Sequence, residues 1–460
     1  MECFTILADE IDQRRLDPYY HSKIFKDNEK IIRNSKFEVK LLKDVSKKIV
    51  DGPFGSQLKV EEYVEKGIPL IRVKDVKDQE LLEDNFVYIS KEKQEQLKRS
   101  KVLPGDVLLT KAGSIGNACV FPKHLREANI TSHLAKIEVN NVVYPEYLCK
   151  YLNTKYGRLQ IFREGNKTTR PELNISEVSS ILVIVPPLGK QEKIVQLMDK
   201  SYFQKREKKL EAQNLLDSLN DYVLGELGIV PLKLKDKMIY VVNYDTVKNN
   251  RLDAYYYQPK FEEVENIIKN CGVEVKKLKE CFDGELVKGI LPTDKEKEGG
   301  AKVLQIKNIL RNGLINTSKY VTAKNIFGSE HKIKKGEVIL VITGATIGKV
   351  GLWYSNEDFY LGGDMVKFFT SDNVDPYYIQ AFLLSQLGQY QLLRHITGAT
   401  NKHLSPDDIE KIKIPIPSFS VQNKIGEEFK KRMQKAEQLK NEAKEDFEKT
   451  KQEVEKMILG

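Results

Sequence analysis

The sequence predicts an α+β protein built twice over. Two similar globular domains are separated by two long helices that pair antiparallel as a coiled coil, in an internally duplicated, pseudo-two-fold layout. Three observations predict this. Short motifs recur in the same order in both halves of the chain. Within each half, strand-like apolar runs bounded by Gly and Pro accompany helix-like apolar spacing. A long charged stretch with an apolar seam follows each half. The 460 residues exceed one ordinary domain, and a hydrophobic share of 40% is enough to fill more than one core.

The repeat opens where Arg15-Leu16-Asp17-Pro18-Tyr19-Tyr20 returns as Arg251-Leu252-Asp253-Ala254-Tyr255-Tyr256. Ahead of it, Phe4, Asp9 and Ile11 fall on Tyr240, Asp245 and Val247. Gly105-Asp106-Val107-Leu108-Leu109 matches Gly336-Glu337-Val338-Ile339-Leu340. Gly113-Ser114-Ile115-Gly116 is answered by the longer Gly344-Ala345-Thr346-Ile347-Gly348. Pro145-Glu146-Tyr147-Leu148 and Gly157 match Pro376-Tyr377-Tyr378-Ile379 and Gly388. Gln191-Glu192-Lys193-Ile194 closes the first copy as Gln422-Asn423-Lys424-Ile425 closes the second.

In chain order, residues 1–40 form an N-terminal segment expected to pack near the end of the C-terminal helix, so that the chain ends meet. Residues 41–189 form the first globule, with strands at Gly67–Val73, Val107–Thr110 and Ile181–Val185 and a helix over Glu146–Phe162. Residues 190–229 form the central helix, its seam running through Ile194, Leu197, Met198, Leu210, Leu215, Leu219, Tyr222 and Val223, with Gly225 and Gly228 ending it. Residues 230–276 link to and begin the second repeat. Residues 277–420 form the second globule, with a strand at Val338–Ile342 and a helix over Tyr377–Arg394. Residues 421–460 form the C-terminal helix, with a seam of Ile425, Phe429, Met433, Ala436, Ala443, Phe447, Val454 and Met457.

Composition narrows the function. Lys and Arg number 75 against 66 acids, and the net charge of +9 permits a polyanionic partner. No run approaches the roughly 18 apolar residues of a membrane span, and the start of the chain lacks a secretory pattern. The five cysteines are scattered without a CxxC pair, which fits a reducing cytoplasm. The six histidines show no HxxxH or HExxH spacing, so no metal site is predicted. Gly344–Lys349 departs from a P-loop, with three residues between its glycines and Val350 after its lysine. Asp17-Pro18-Tyr19-Tyr20 and Asp375-Pro376-Tyr377-Tyr378 lack the second proline of an adenine-methyltransferase motif, and their tyrosines read as packing residues. What repeats is Gly, Pro and apolar framework, whereas the stretches near 74–100, 126–133 and 309–331 diverge. A retained framework with altered faces is the pattern of two recognition modules. Two loops suit nucleic acid, because small hydroxyl, amide and basic side chains contact phosphates and base edges. One carries Asn166, Lys167, Thr169 and Arg170; the other carries Thr400, Asn401, Lys402 and His403. The basic runs Lys205–Lys209 and Lys430–Arg432 read as solvated helix faces.

The Arg15 and Arg251 openings, Gly52-Pro53-Phe54-Gly55-Ser56, the Asp106–Thr110 run with Gly113–Gly116, and the Pro186-Pro187 strand end before Gln191 together resemble the DNA-specificity (S) subunit of type I restriction–modification systems. The resemblance spans nearly the whole chain. The second copy departs from it at Asp283-Gly284-Glu285-Leu286-Val287, set against the Gly52–Ser56 site. The resemblance implies two target recognition domains, each reading one half of a bipartite double-stranded DNA target. It implies helices that set the spacing and dock two modification (methyltransferase) subunits, and restriction (translocase/nuclease) subunits that join them. S-adenosylmethionine, ATP and magnesium are then expected on those partners, and no cofactor, metal or catalytic residue on this chain. Candidate DNA contacts are Ser56, Lys59, Lys111, Ser114, Thr346 and Lys349 with the two loops. Candidate docking residues are Ile194, Leu197, Leu215, Leu219, Ile425, Phe429, Met433 and Phe447. The competing readings are a recognition subunit of another or orphan modification system, and an enzyme with an unrecognised site.

Overall fold

A computed structural model of the protein describes residues 15–165, 171–231, 234–248, 251–291, 295–296, 300–324, 328–398 and 400–460. The chain divides into two units, Met1–Arg206 with Ala443–Gly460, and Glu207–Glu442.

The first unit is organised by an antiparallel sheet of β1 (Ser46–Asp51), β4 (Val107–Thr110), β5 (Ala118–Val120) and β7 (Leu134–Val139), in the order β1-β7-β4-β5. All four residues of β4 are buried, because both faces of the sheet are covered. Alternation along the strands assigns the faces. Val107, Leu109, Ala135 and Ile137 join Tyr147, Leu148, Tyr151 and Leu152 of helix α1 (Pro145–Asn153) in one core. Leu108, Cys119 and Leu134 join Ile71, Val76, Val102 and Ile130 in another. The second core belongs to a distal lobe built on β2 (Ile68–Ile71), β3 (Val87–Ile89) and β6 (Asn129–Ile130), ordered β3-β2-β6 with β2 and β6 parallel. Helix α2 (Lys155–Gly165) follows α1, and the long helix α3 runs unbroken over Leu188–Glu226.

The second unit repeats the plan. Its sheet orders β8 (Phe282–Lys288), β15 (Met365–Thr370), β12 (Val338–Val341) and β13 (Val350–Leu352) as β8-β15-β12-β13. Its lobe holds β9 (Lys295–Glu296), β10 (Ala301–Leu304), β11 (Val321–Ala323) and β14 (Tyr360–Leu361), with β10 and β14 parallel. Helices α4 (Pro376–Leu384) and α5 (Gln386–His395) lead to the long α6 (Phe419–Leu459).

The repeated residues explain themselves as clips. Buried Gln191 accepts from the Tyr144 N–H at 3.0 Å and donates to the Val142 and Pro186 carbonyls at 2.9 and 2.8 Å. Gln422 does the same with the Asp375 N–H and the Asn373 and Pro417 carbonyls. The Tyr147 and Tyr378 hydroxyls donate to the carbonyls of Ile184 and Pro415. Gly157 and Gly388 sit where a Cβ would strike the backbone of the preceding helix. In each unit the first N–H of the second short helix is capped from a long helix distant in sequence: Lys155 by Glu455 at 3.1 Å, and Gln386 by Asn220 at 2.7 Å.

Within each unit the long helices pair antiparallel. In the first, Tyr202 meets Phe447 edge to face. In the second, Lys208 bonds Glu442, Arg432 bonds Ser218 and Lys424 bonds Glu226. Gly225 lies inside α3, and it is Gly228, at φ +70°, that follows its end. The Lys36 N–H and the Ser35 hydroxyl both donate to the Leu459 carbonyl, so the C-terminus of α6 belongs to the first unit. No described helix is long and apolar enough to cross a membrane.

Candidate nucleic-acid interface

In each unit a glycine turn after the central strand abuts the loop that follows the second short helix. Gly344 (φ +86°) and Gly348 (φ +90°) turn the chain after β12 in a conformation open mainly to glycine. The Gly344 N–H donates to the Lys402 carbonyl at 3.0 Å, and Thr343 Oγ1 lies 3.2 Å from His403 Nδ1. Thr397 and His403 exchange backbone hydrogen bonds, closing a hairpin that exposes Thr400, Asn401 and Lys402. The turn carrying Thr346 and Lys349 is thereby joined to the Thr400–His403 loop. Both turn residues are half-buried, and burial with the neighbouring Arg311 charge lowers the Lys349 pKa.

The first unit has the same join. The Gly113 N–H (φ +75°) donates to the Pro171 carbonyl at 3.0 Å, with Ser114 exposed on the turn. Asn166, Lys167, Thr169 and Arg170 lie outside the described residues. Ser56 and Lys59 are exposed beyond β1. Lys111 is corrected: it is 4% exposed, donates to the Leu173 carbonyl, and faces Asp51 and Glu172 at 4.0 and 3.8 Å. Its charge is answered inside the unit, and it presents no surface to DNA.

The departure at Asp283–Val287 also resolves. Asp51 pairs with Ala135 as Lys288 pairs with Val366, so Gly289 is the counterpart of Gly52. At both glycines a Cβ would collide with backbone of the lobe, at Ile130 and Thr131 or at Leu361 and Gly362. A register shift between Asp283 and Val287 inserts residues into β8 and misleads an ungapped count.

The docking seam is corrected as well. Ile194 and Phe447 are buried in the first unit's core, and Leu219, Ile425, Phe429 and Met433 in the second's. Leu197 and Leu215 are half-buried against their units' own clusters. Each part of the seam packs inside its own unit, and these side chains offer little surface to a partner.

Sequence reasoning missed what the Arg-Leu-Asp motif does. Arg15 Nη1 donates to the Arg163 and Glu164 carbonyls at 3.1 and 2.9 Å, and Arg251 to those of His395 and Ile396 at 3.1 and 2.9 Å. Each arginine satisfies carbonyls left open at a helix C-terminus, where a cation is also favoured by the helix dipole. Asp17 and Asp253 hold their arginines at 2.8 and 2.7 Å and cap the Tyr20 and Tyr256 N–H groups. Burial alone would raise the Asp17 pKa, but the Tyr20 N–H and Arg15 bring it below the ordinary value. Tyr20 lies under Arg15 and Arg163, and Tyr256 under Arg251 and Arg394. The clamp therefore anchors the helix end from which each loop departs. Among the described residues no cluster of three or more His, Cys, Asp or Glu is placed to hold a metal ion.

Comparison with known proteins places this architecture. The family described as Type I restriction modification DNA specificity domain matches residues 34–214 and again 270–448. The chain is 27% identical over 159 residues to the EcoBI specificity subunit of Escherichia coli, a match covering 34% of this chain and 33% of that one. It is 22% identical over 415 residues to the MjaVIII specificity subunit of Methanocaldococcus jannaschii, covering 87% of each. The S subunit of a type I restriction-modification system from M. genitalium shares the fold, with a TM-score of 0.50 at 12% identity over 92% of this chain and 96% of that one. The chain belongs to the type I restriction–modification DNA specificity family and carries its domain twice. It is a DNA-recognition subunit rather than an enzyme.

Proposed function

We propose that the protein is the cytoplasmic sequence-reading component of a type I restriction–modification complex, with residues 41–189 reading one half of a bipartite DNA target and residues 277–420 the other. The observation that carries this is one framework bearing two different lobes. Phosphate and base contacts come in the first unit from Ser56 and Lys59 beyond β1, from Ser114 on the glycine turn and from Asn166, Lys167, Thr169 and Arg170, and in the second from Thr346 and Lys349 on the turn and Thr400–His403 in its adjoining loop. Two modification subunits bind S-adenosylmethionine and perform methyl transfer, and restriction subunits use ATP and magnesium. This chain supplies no catalytic group. The test is a map of methylated adenines in the host genome with and without the gene. Loss of one two-part pattern supports the reading, and methyl transfer by the purified chain alone refutes it.

The long helices set the half-site spacing. One heptad inserted into both keeps the apolar seam in phase and adds about 10 Å, near three base pairs at about 3.4 Å each. Methylation maps should show the same half-sites with a longer gap. An active complex with the original gap removes the helices as the ruler.

A further inference from the structure

Each central sheet carries a lysine at the same buried strand position. Lys136 of β7 stands opposite Leu108, and Lys367 of β15 stands opposite Ile339. Lys136 Nζ reaches Asp106 Oδ2 at 3.0 Å and donates to the Lys101 carbonyl at 2.8 Å. Lys367 Nζ reaches Glu337 Oε1 and Oε2 at 2.8 and 3.0 Å and donates to the Lys332 carbonyl at 2.7 Å. The carboxylates also accept from the Leu103 N–H at 2.7 Å and the Lys334 N–H at 2.6 Å. All four side chains are at most 7% exposed. The acid differs in length between the copies, yet the three-way geometry is the same.

The carbonyls that the lysines hold lie where the distal lobe returns to the sheet. Lys101 precedes Val102, which bridges Ala128 and sits in the lobe core, and Lys332 precedes Ile333 of the second lobe core. Stability alone is a weak reason for such a pair, since replacing a buried ion pair with apolar side chains of similar volume is often neutral or stabilising. A charge-assisted hydrogen bond adds direction, which apolar packing does not.

We infer that Lys136–Asp106 and Lys367–Glu337 are positioning pairs for base reading: each fixes the orientation of its variable lobe on the shared sheet without touching DNA. This rests on the reading of each unit as a half-site reader. The lobes differ while their mounting does not, so one device serves two recognition faces.

The experiment uses the full chain coexpressed with its modification partner. The double variant Glu337→Gln with Lys367→Met removes both charges together, and Glu337→Asp copies the first unit's pair. Methylation maps and thermal melts are recorded for each. The double variant should melt near the wild type and lose about tenfold in discrimination between the cognate half-site and single-base changes, at one half-site only. Glu337→Asp should stay within about twofold of wild type. Unchanged discrimination in the double variant, equal loss at both half-sites, general loss of methylation with a lowered melt, or an equal loss in Glu337→Asp each overturns the inference. A wild-type chain that directs no two-part pattern overturns the underlying reading as well, which separates the two failures.

Discussion

The sheets and the lobes of the two units part company. Sheet order, glutamine clips, glycine turns, arginine clamps and buried lysines correspond one to one between the units. The lobes share a parallel strand pair and then diverge. The first has three sheet strands, a ribbon of Val76–Lys77 with Glu80–Leu81, and a helix over Lys91–Gln96. The second has a four-stranded sheet, with no α-helix among its described residues. A framework can stay fixed while a recognition face changes when the two occupy opposite sides of one sheet, because alternating side chains give each its own core.

The largest test of this comparison exchanges a whole module. Replacing residues 41–185 with the equivalent part of a related subunit should change one half of the methylated sequence completely and leave the other untouched. A change in both halves breaks the separation of framework from face. Next in size are the clips. Gln191→Ala and Gln422→Ala each remove three hydrogen bonds to backbone groups, one of them buried, which should cost roughly 2 kcal/mol in the unit concerned, read by chemical denaturation. Unequal losses would show that the frameworks are less alike energetically than geometrically.

Arg251→Ala should cost about 1–2 kcal/mol and loosen the end of α5, measured by hydrogen exchange at His395 to Thr397. A subtler contrast is pH. Burial, then Arg394, Lys411 and Arg251, lower the His395 pKa against the opposing pull of Asp408. The folded protein therefore favours the neutral ring. That contribution to stability is complete above the ordinary histidine value near 6.5 and is lost as pH falls below it. The first unit has Glu164 at this place, bonded to the Tyr20 hydroxyl. Melting between about pH 7 and 5 should thus weaken the second unit, and His395→Gln should remove that part of the dependence. Smallest of all, Lys402→Ala should reduce the salt dependence of DNA binding by the assembled complex by about one unit, and Arg170→Ala should do likewise. Unchanged affinity and methylation in both variants would take the loops out of the interface.

Much of the plan is legible in the sequence, because periodicity reports burial directly. Val107–Leu109 and Val338–Leu340 read as strands, and the structure forms strands there and buries them on both faces. The seam of Ile425, Phe429 and Met433 was equally visible, but an apolar stripe does not say what covers it, and here the chain's own core does. Lys111 looked like a surface cation because nothing local reveals Asp51 and Glu172 across the fold. The Gly289 counterpart was hidden by the bulge in β8. Lys136 and Lys367 did leave a signal: a lone lysine inside an apolar strand, in both copies, matched by an acid after Gly105 and Gly336.

The caps on α2 and α5 carry a consequence for synthesis. Gln386 is capped by Asn220, and the second unit is one continuous stretch, Glu207–Glu442. Lys155 instead waits for Glu455, and the first unit includes Ala443–Gly460. As the chain is made from its N-terminus, the first unit gains its Ala443–Gly460 part only after every residue of the second unit has been made. A chain cut short near Glu442 would keep every residue of the second unit and lack Phe447, Val454 and Ile458 of the first unit's core.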